Sequence, residues 1–249
     1  MKLIDKIRED AKESLLFFNE KDFIENMNLI TSENNEVTYR RKGKGIKKIN
    51  KNYSMEFLDI HSDGDYLCRL NDCSVIQAYY KFDESQEILI EASLKYYPNP
   101  GLEKGILYEL LLEDNMEERK NFIEVFTYDE NFKRSSNYIR IDYKPKDFNE
   151  IIHPCTHIHI GAKNELRLNV DRVPLVSEFI EFILFSYYKE EWFKCLFNMK
   201  GKIDFKQKDF LKENDIDIER YLKLRERKIK DCIDGKLTEK EQKMYTIKI

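Results

Sequence analysis

The sequence predicts an α+β fold: a mainly antiparallel sheet from residues about 53 to 170, flanked by an N-terminal helix, a central helix over 175–198 and helices in the C-terminal region. Three observations predict it. Short aromatic and β-branched runs with period-two alternation crowd the middle of the chain, apolar stripes at spacings of three and four lie on either side, and 8 Gly with 5 Pro in 249 residues leave few breaks. Residues 1–200 read as a single α+β domain, and 201–249 as a charged helical extension packed on it.

Taken in order, Leu3, Ile4, Ile7, Ala11, Leu15 and Phe18 mark one face of an amphipathic helix over residues 2–19. Asp22, Phe23, Ile24 and Met27 allow a second short helix over 21–29. The basic run at 39–48, loosened by Gly43 and Gly45, suits either a solvated loop or a phosphate-backbone contact. It matches neither nucleotide-binding glycine pattern. SVIQAYYKF (74–82) and EILIEASLKY (87–96) form an antiparallel hairpin, closed off by the turn-forming YPNPG. GILYELLLED suits a strand or a helix, and 117–124 reads as helical. YIRIDY alternates as a half-buried strand, with Ile139, Ile141 and Tyr143 on one face and Tyr138, Arg140 and Asp142 on the other. THIHIG and LRLNV make two more strands around Gly161-Ala162-Lys163-Asn164, and Pro174 opens the central helix. Phe210, Leu211, Ile216, Ile218, Tyr221, Leu222 and Leu224 suggest helices beyond residue 204.

With 41% hydrophobic residues, 16 Phe and 15 Tyr, the chain is long enough to bury a substantial core. A net charge of −4 with intermixed signs gives no global argument for nucleic acid, so any such contact would use a local patch. Five scattered cysteines without CxxC spacing point to a reducing compartment. The charged N-terminus lacks a signal-peptide apolar segment, and no stretch approaches the roughly 20 apolar residues of a membrane span, so a cytoplasmic protein without membrane contact is expected.

Chemistry concentrates in HPCTHIHIG, where His153, His157 and His159 fall within seven residues. On a strand, His157 and His159 share one face, because side chains alternate. Paired imidazoles can bind a metal, transfer protons or hold a phosphate; they can also merely hydrogen-bond to their neighbours. If YIRIDY lies beside this strand, Asp142 can orient one of the histidines, and Arg140 or Arg167 can hold an anion, with Asn164 in the connecting turn as a further substrate contact. HxxxHxH offers at most three nitrogens, so a metal would need Asp142, Glu150 or water as another ligand. Cys155 invites a thiol-nucleophile reading, weighed against its being a small apolar residue near a turn. His61, in LDIHSDGDY, reads as a surface or locally hydrogen-bonding residue in a polar turn.

HPCTHIHIG followed by LRLNVDRVPLVSEFIEFILFSYY resembles a bacterial family of domains of unknown function. CSVIQAYYKF and LKYYPNPG are similar to that family's sheet segment, so the resemblance covers most of the chain. It implies no established reaction, and its association with bacterial accessory regions implies a role in phage defence or a toxin system.

The leading expectation is a metal-free phosphodiesterase or ribonuclease-like site acting on RNA or a nucleotide. His157 and His159 would transfer protons, assisted by His153 and oriented by Asp142, while Arg140, Arg167 and Asn164 bind substrate. No cofactor is assigned, and a divalent metal is the rival use of the same residues. A non-enzymatic protein that binds a partner through its aromatic sheet or C-terminal helices is the alternative from another class, one that buried and mutually hydrogen-bonded histidines would favour. A metal-dependent hydrolase is the third.

Overall fold

The computed structural model describes residues 1–39, 53–113, 115, 117–119, 121–122, 138–150, 152–161, 167–197, 233–236, 238–242 and 246–247. Most of the basic run at 39–48, Asn164 and the expected helices at 204–232 lie outside them.

Helix α1 (Leu3–Glu20) buries Ile4, Ile7, Ala11, Leu15 and Phe18, the stripe its spacing predicts. It ends where Asp22 adopts φ 60, with the Asp22 N–H donating to the Asn19 carbonyl (3.0 Å) and the Phe23 N–H to that of Phe18 (3.0 Å). This is a left-handed cap, and the chain leaves it extended. The spacing at 21–29 predicts a helix, but the structure has strand β1 (Ile24–Met27) there. Pairing with β4 (Cys68–Leu70) overrides a helix-compatible pattern too short to stand alone.

Strands β2 (Thr31–Glu33) and β3 (Glu36–Thr38) form a hairpin, followed by helix α2 (Tyr53–Asp63) and β4. The expected hairpin is β5 (Val75–Phe82) against β6 (Leu89–Tyr97), and helix α3 (Lys104–Leu112) resolves the ambiguous GILYELLLED. Next come β7 (Ile139–Tyr143), β8 (Thr156–Ile160), β9 (Leu168–Val170) and β10 (Arg172–Val173). The sheet runs β1-β4-β5-β6-β7-β8-β9, all antiparallel, with β3 sharing the β5 edge beside β4.

The region expected as one helix over 175–198 is two, α4 (Val176–Tyr187) and α5 (Lys189–Phe197). The break at Tyr188 (φ −122, ψ 40) is anchored by its hydroxyl, which donates to Asp72 Oδ2 (2.6 Å) and lies 3.0 Å from the Tyr96 hydroxyl. In the C-terminal region the described residues form two short strands, β11 (Ile233–Asp234) on β10 and β12 (Thr246–Ile247) parallel to β9, and helix α6 (Glu239–Gln242) between them. Gly235 passes so close to β10 that a Cβ would lie 2.7 Å from the Asp171 carbonyl oxygen, so only glycine fits without displacement.

The two sheet faces have different fates. Ile76, Ala78, Tyr80, Leu94, Ile139, Ile141 and Ile158 pack against α1, α4 and Trp192 in the main core. On the opposite face α2 and α3 cover only one end, where Val75, Tyr97 and Tyr138 meet Phe57, Leu107 and Leu110. His61 packs beside this second core: it lies buried in α2, not in an exposed turn, with its ring tilted against that of Phe57 at 4.5 Å and Nε2 donating to the Cys73 carbonyl (3.0 Å). Beyond α2 and α3 that sheet face turns polar and carries the histidines.

Candidate metal centre

Strand register assembles the site. β7 and β8 pair antiparallel with Asp142 opposite His157 and Arg140 opposite His159, and β6 adds Ser93 opposite Asp142. Because directly opposed residues point to one face, a polar row Ser93–Asp142–His157–Asn169 forms across four strands. Loop 144–155 returns through an Asn149–His153 bridge, which stacks His153 edge-on against His157 at 4.7 Å; His157 stands in the same way against His159 at 4.9 Å.

His157 is 2% and His159 4% exposed. His157 Nδ1 donates to the Pro154 carbonyl (3.0 Å), so Nε2 keeps its lone pair. His159 Nε2 is buried without a hydrogen-bond partner among the described residues and lies 4.0 Å from Asp142 Oδ2. Asp142 is itself held at both oxygens: Ser93 Oγ donates to Oδ1 (2.8 Å), and Arg140 Nε lies 2.7 Å from Oδ2. One donor atom from each of Asp142, His157 and His159 falls within 4.8 Å of the others.

Electrostatics keep the imidazoles neutral. Burial pushes His159 down to about 4, helped by Arg140 and His157 and opposed by Asp142. Burial also lowers His157, against the upward pull of the Pro154 carbonyl and Asp142. A neutral, oriented imidazole with an inward lone pair is the form that ligates a metal. Tetrahedral zinc sets its ligand atoms about 3.4 Å apart, so this trio would close on an ion by roughly an ångström and leave a position open for water.

His153, His157, His159, Asp142 and Arg140 are thus brought together. Arg167 is exposed, yet its positive charge helps to depress both buried imidazoles; Asn164 lies outside the described residues. Of the two acids considered as a further ligand, Asp142 joins the cluster, whereas Glu150 pairs with Lys240 (2.9 Å). Cys155 is buried. Sequence reasoning missed Ser93, and the alternation in EASLKYY that places Ser93, Lys95 and Tyr97 on one face was its only trace.

Burial of neutral histidines also sets acid sensitivity. His61 and His159 both sit at about 4 when folded, against 6.5 without the fold, so the unfolded chain binds more protons between those values. Stability therefore falls as pH drops from about 6.5 to about 4, by on the order of 3 kcal/mol for each group. The metal-free protein should show a melting temperature that declines steeply over that window, and His61→Gln should flatten the decline. A flat profile in the parent would contradict buried neutral histidines.

No helix among the described residues is long and apolar enough to cross a membrane. Neither a curated protein nor a solved structure matches the chain. The family model described as "Uncharacterized conserved protein (DUF2290)" matches residues 20–249.

Proposed function

The chain belongs to the DUF2290 family of uncharacterized conserved proteins, and from the site it carries we propose that it is a divalent-metal-dependent hydrolase acting on a phosphodiester of RNA or a nucleotide. The observation that carries this reading is the convergence of Asp142, His157 and His159 on a point where a buried imidazole nitrogen has no other partner among the described residues. Leaving such a nitrogen unsatisfied costs about 1–3 kcal/mol, which ligation would recover.

A bound divalent ion would polarise a phosphoryl oxygen and lower the pKa of a coordinated water. The protein's own groups divide the remaining tasks. The Pro154 carbonyl fixes the His157 tautomer, and Ser93 with Arg140 holds the Asp142 carboxylate. His153, half-buried beside His157, is placed to pass a proton at the edge of the site, and exposed Arg167 is available to a phosphate. An acid–base pair made of His157 and His159 alone has less support, since an imidazole held at about 4 carries almost no proton to donate at neutral pH.

The burial of His157 and His159 favours a second reading, a structural cluster in an interaction protein. Against it, the rings meet edge-on and His159 Nε2 is left without a hydrogen bond among the described residues. Metal analysis of tag-free protein, with hydrolysis of a nitrophenyl phosphodiester and of RNA before and after chelation, separates the two. Near-stoichiometric metal and hydrolysis that is lost to chelator and restored by zinc or manganese are expected. Metal-free protein that takes up neither ion would overturn the hydrolase reading in favour of the structural one.

A further inference from the structure

The open sheet face beside the centre is biased toward positive charge. Gln77, Lys95, Arg140 and His159 stand directly opposite one another across β5, β6, β7 and β8. Leu168 lies opposite Ile158, so alternation turns Arg167 onto the same face at the β9 end of that row. The row flanks His159 with half-buried Lys95 and Arg140 on one side and exposed Arg167 on the other, and it contains no acid. In the adjoining row Asp142 is matched by Arg140 at 2.7 Å, and one row further Lys144 and Lys81 lie 3.3 Å from Glu91 and 3.6 Å from Glu36. The chain as a whole has a net charge of −4, so this local excess of cations runs against its average.

Reach and depth narrow what such a surface takes. From β6 to β9 the row runs roughly 14 Å, at about 4.8 Å per strand spacing, so no one phosphate touches both Lys95 and Arg167. A ligand that uses both carries phosphates on either side of the centre, which a free nucleotide does not. His157 and His159 are buried, between the end of the face covered by α2 and α3 and the loop that sets His153 against His157. A single strand can bend a phosphodiester down to them, whereas a duplex is too stiff to follow. Tyr79 adds an aromatic ring to the same face: it stands opposite Ser93 in the row of Asp142, fixed by its hydroxyl, which donates to Glu36 (2.9 Å). Cations along a backbone path with an aromatic ring beside it are what single-stranded nucleic acid needs. Resting on the phosphodiesterase reading, we propose that the substrate is a single-stranded polynucleotide docked across the open face from β5 to β9, with Lys95 and Arg167 holding backbone phosphates on either side of the centre and Tyr79 stacking a base.

Fluorescence anisotropy of labelled oligouridylate and oligothymidylate with the tag-free full chain, in chelator to prevent cleavage, reads docking apart from hydrolysis. Either strand should bind, with a duplex of the same length and uridine monophosphate about tenfold weaker or more. Lys95→Gln and Arg167→Gln should each reduce the slope of log affinity against log salt by about 0.7, the share of one phosphate contact on a single strand. Tyr79→Ala should weaken binding by about five- to a hundredfold, the scale of one lost base stack, and Tyr79→Phe should stay near the parent. Lys189→Gln removes the same charge from α5, on the other side of the sheet, and should leave the slope unchanged. Melting temperatures taken alongside separate a lost contact from a lost fold. Parent-like slopes in both Lys95→Gln and Arg167→Gln, an equal change in Lys189→Gln, or a duplex bound as tightly as the strands would overturn the docking surface. A metal-loaded parent that hydrolyses the nitrophenyl diester but binds neither strand would overturn it too, while leaving the metal centre standing. A parent that binds the strands yet takes up no metal would instead reject the phosphodiesterase, and with it the strand's place as substrate.

Discussion

His157→Ala and His159→Ala are each expected to lose metal binding and to lower phosphodiester hydrolysis by more than a hundredfold. The magnitude follows from position: outer-shell partners alone are worth about 10–100-fold, and these two residues supply donor atoms themselves. Thermal stability gives an independent reading. Metal that binds only the folded state at a thousandfold excess over its Kd stabilises by about 4 kcal/mol, so zinc should raise the melting temperature of the parent. Both variants should show almost none of that increment. Without metal they should melt near the parent, because each truncation removes packing atoms but also removes a buried ring nitrogen, which at His159 has no partner among the described residues. Differential scanning with and without zinc reads both effects in one experiment. A zinc-induced shift that survives in either variant would exclude that histidine as a ligand.

Trp192→Ala is expected to destabilise the protein by about 3–5 kcal/mol, a large share of the roughly 5–15 kcal/mol that holds a typical domain together. Trp192 is 1% exposed, and its ring centroid lies 5.8 Å from both Phe18 and Phe23, so it fastens α5 to the end of α1 and the start of β1. No other residue of α5 is fully buried, and truncation leaves the helix without its anchor. Trp192→Phe should cost far less, because a ring remains and the indole N–H it removes has no partner among the described residues. Urea unfolding followed by far-UV circular dichroism checks both variants. Equal midpoints for the two would mean that ring packing does not hold α5 in place. The site lies on the opposite sheet face, so zinc affinity in the folded fraction of either variant should match the parent.

The strands around the site were legible because their signal is local. In YIRIDY every second residue, Ile139, Ile141 and Tyr143, faces the core, as Ile158 does between the two histidines of THIHI, and a period of two assigns every side chain to a face. The N-terminal helix was legible for the same reason at a period of 3.6. Misreadings came where tertiary contacts outweigh local pattern. Residues 24–27 pair with β4, Tyr188 is bound to Asp72 and interrupts the central helix, and His61 is drawn inward to the Cys73 carbonyl. Each of these depends on a partner more than 10 residues away or on helix packing, which spacing does not encode.

By itself the sequence determined that His157 and His159 point the same way, that Arg140 and Asp142 do so as well, and that the chain folds as α+β around an aromatic sheet. Only the tertiary structure decided that these two faces are one face. Antiparallel pairing of β7 with β8 in a register that sets Asp142 opposite His157 converts two separate alternations into a three-donor cluster, and a slip of one residue would have sent the carboxylate into the core. The second core is more distant still, since Tyr138, Tyr97 and the Glu56 that Tyr97 donates to come from a strand entrance, a strand and a helix that meet only where that core closes. Hydrogen-bonded chemistry of this kind depends on sub-ångström distances between segments, whereas alternation and spacing describe one segment at a time.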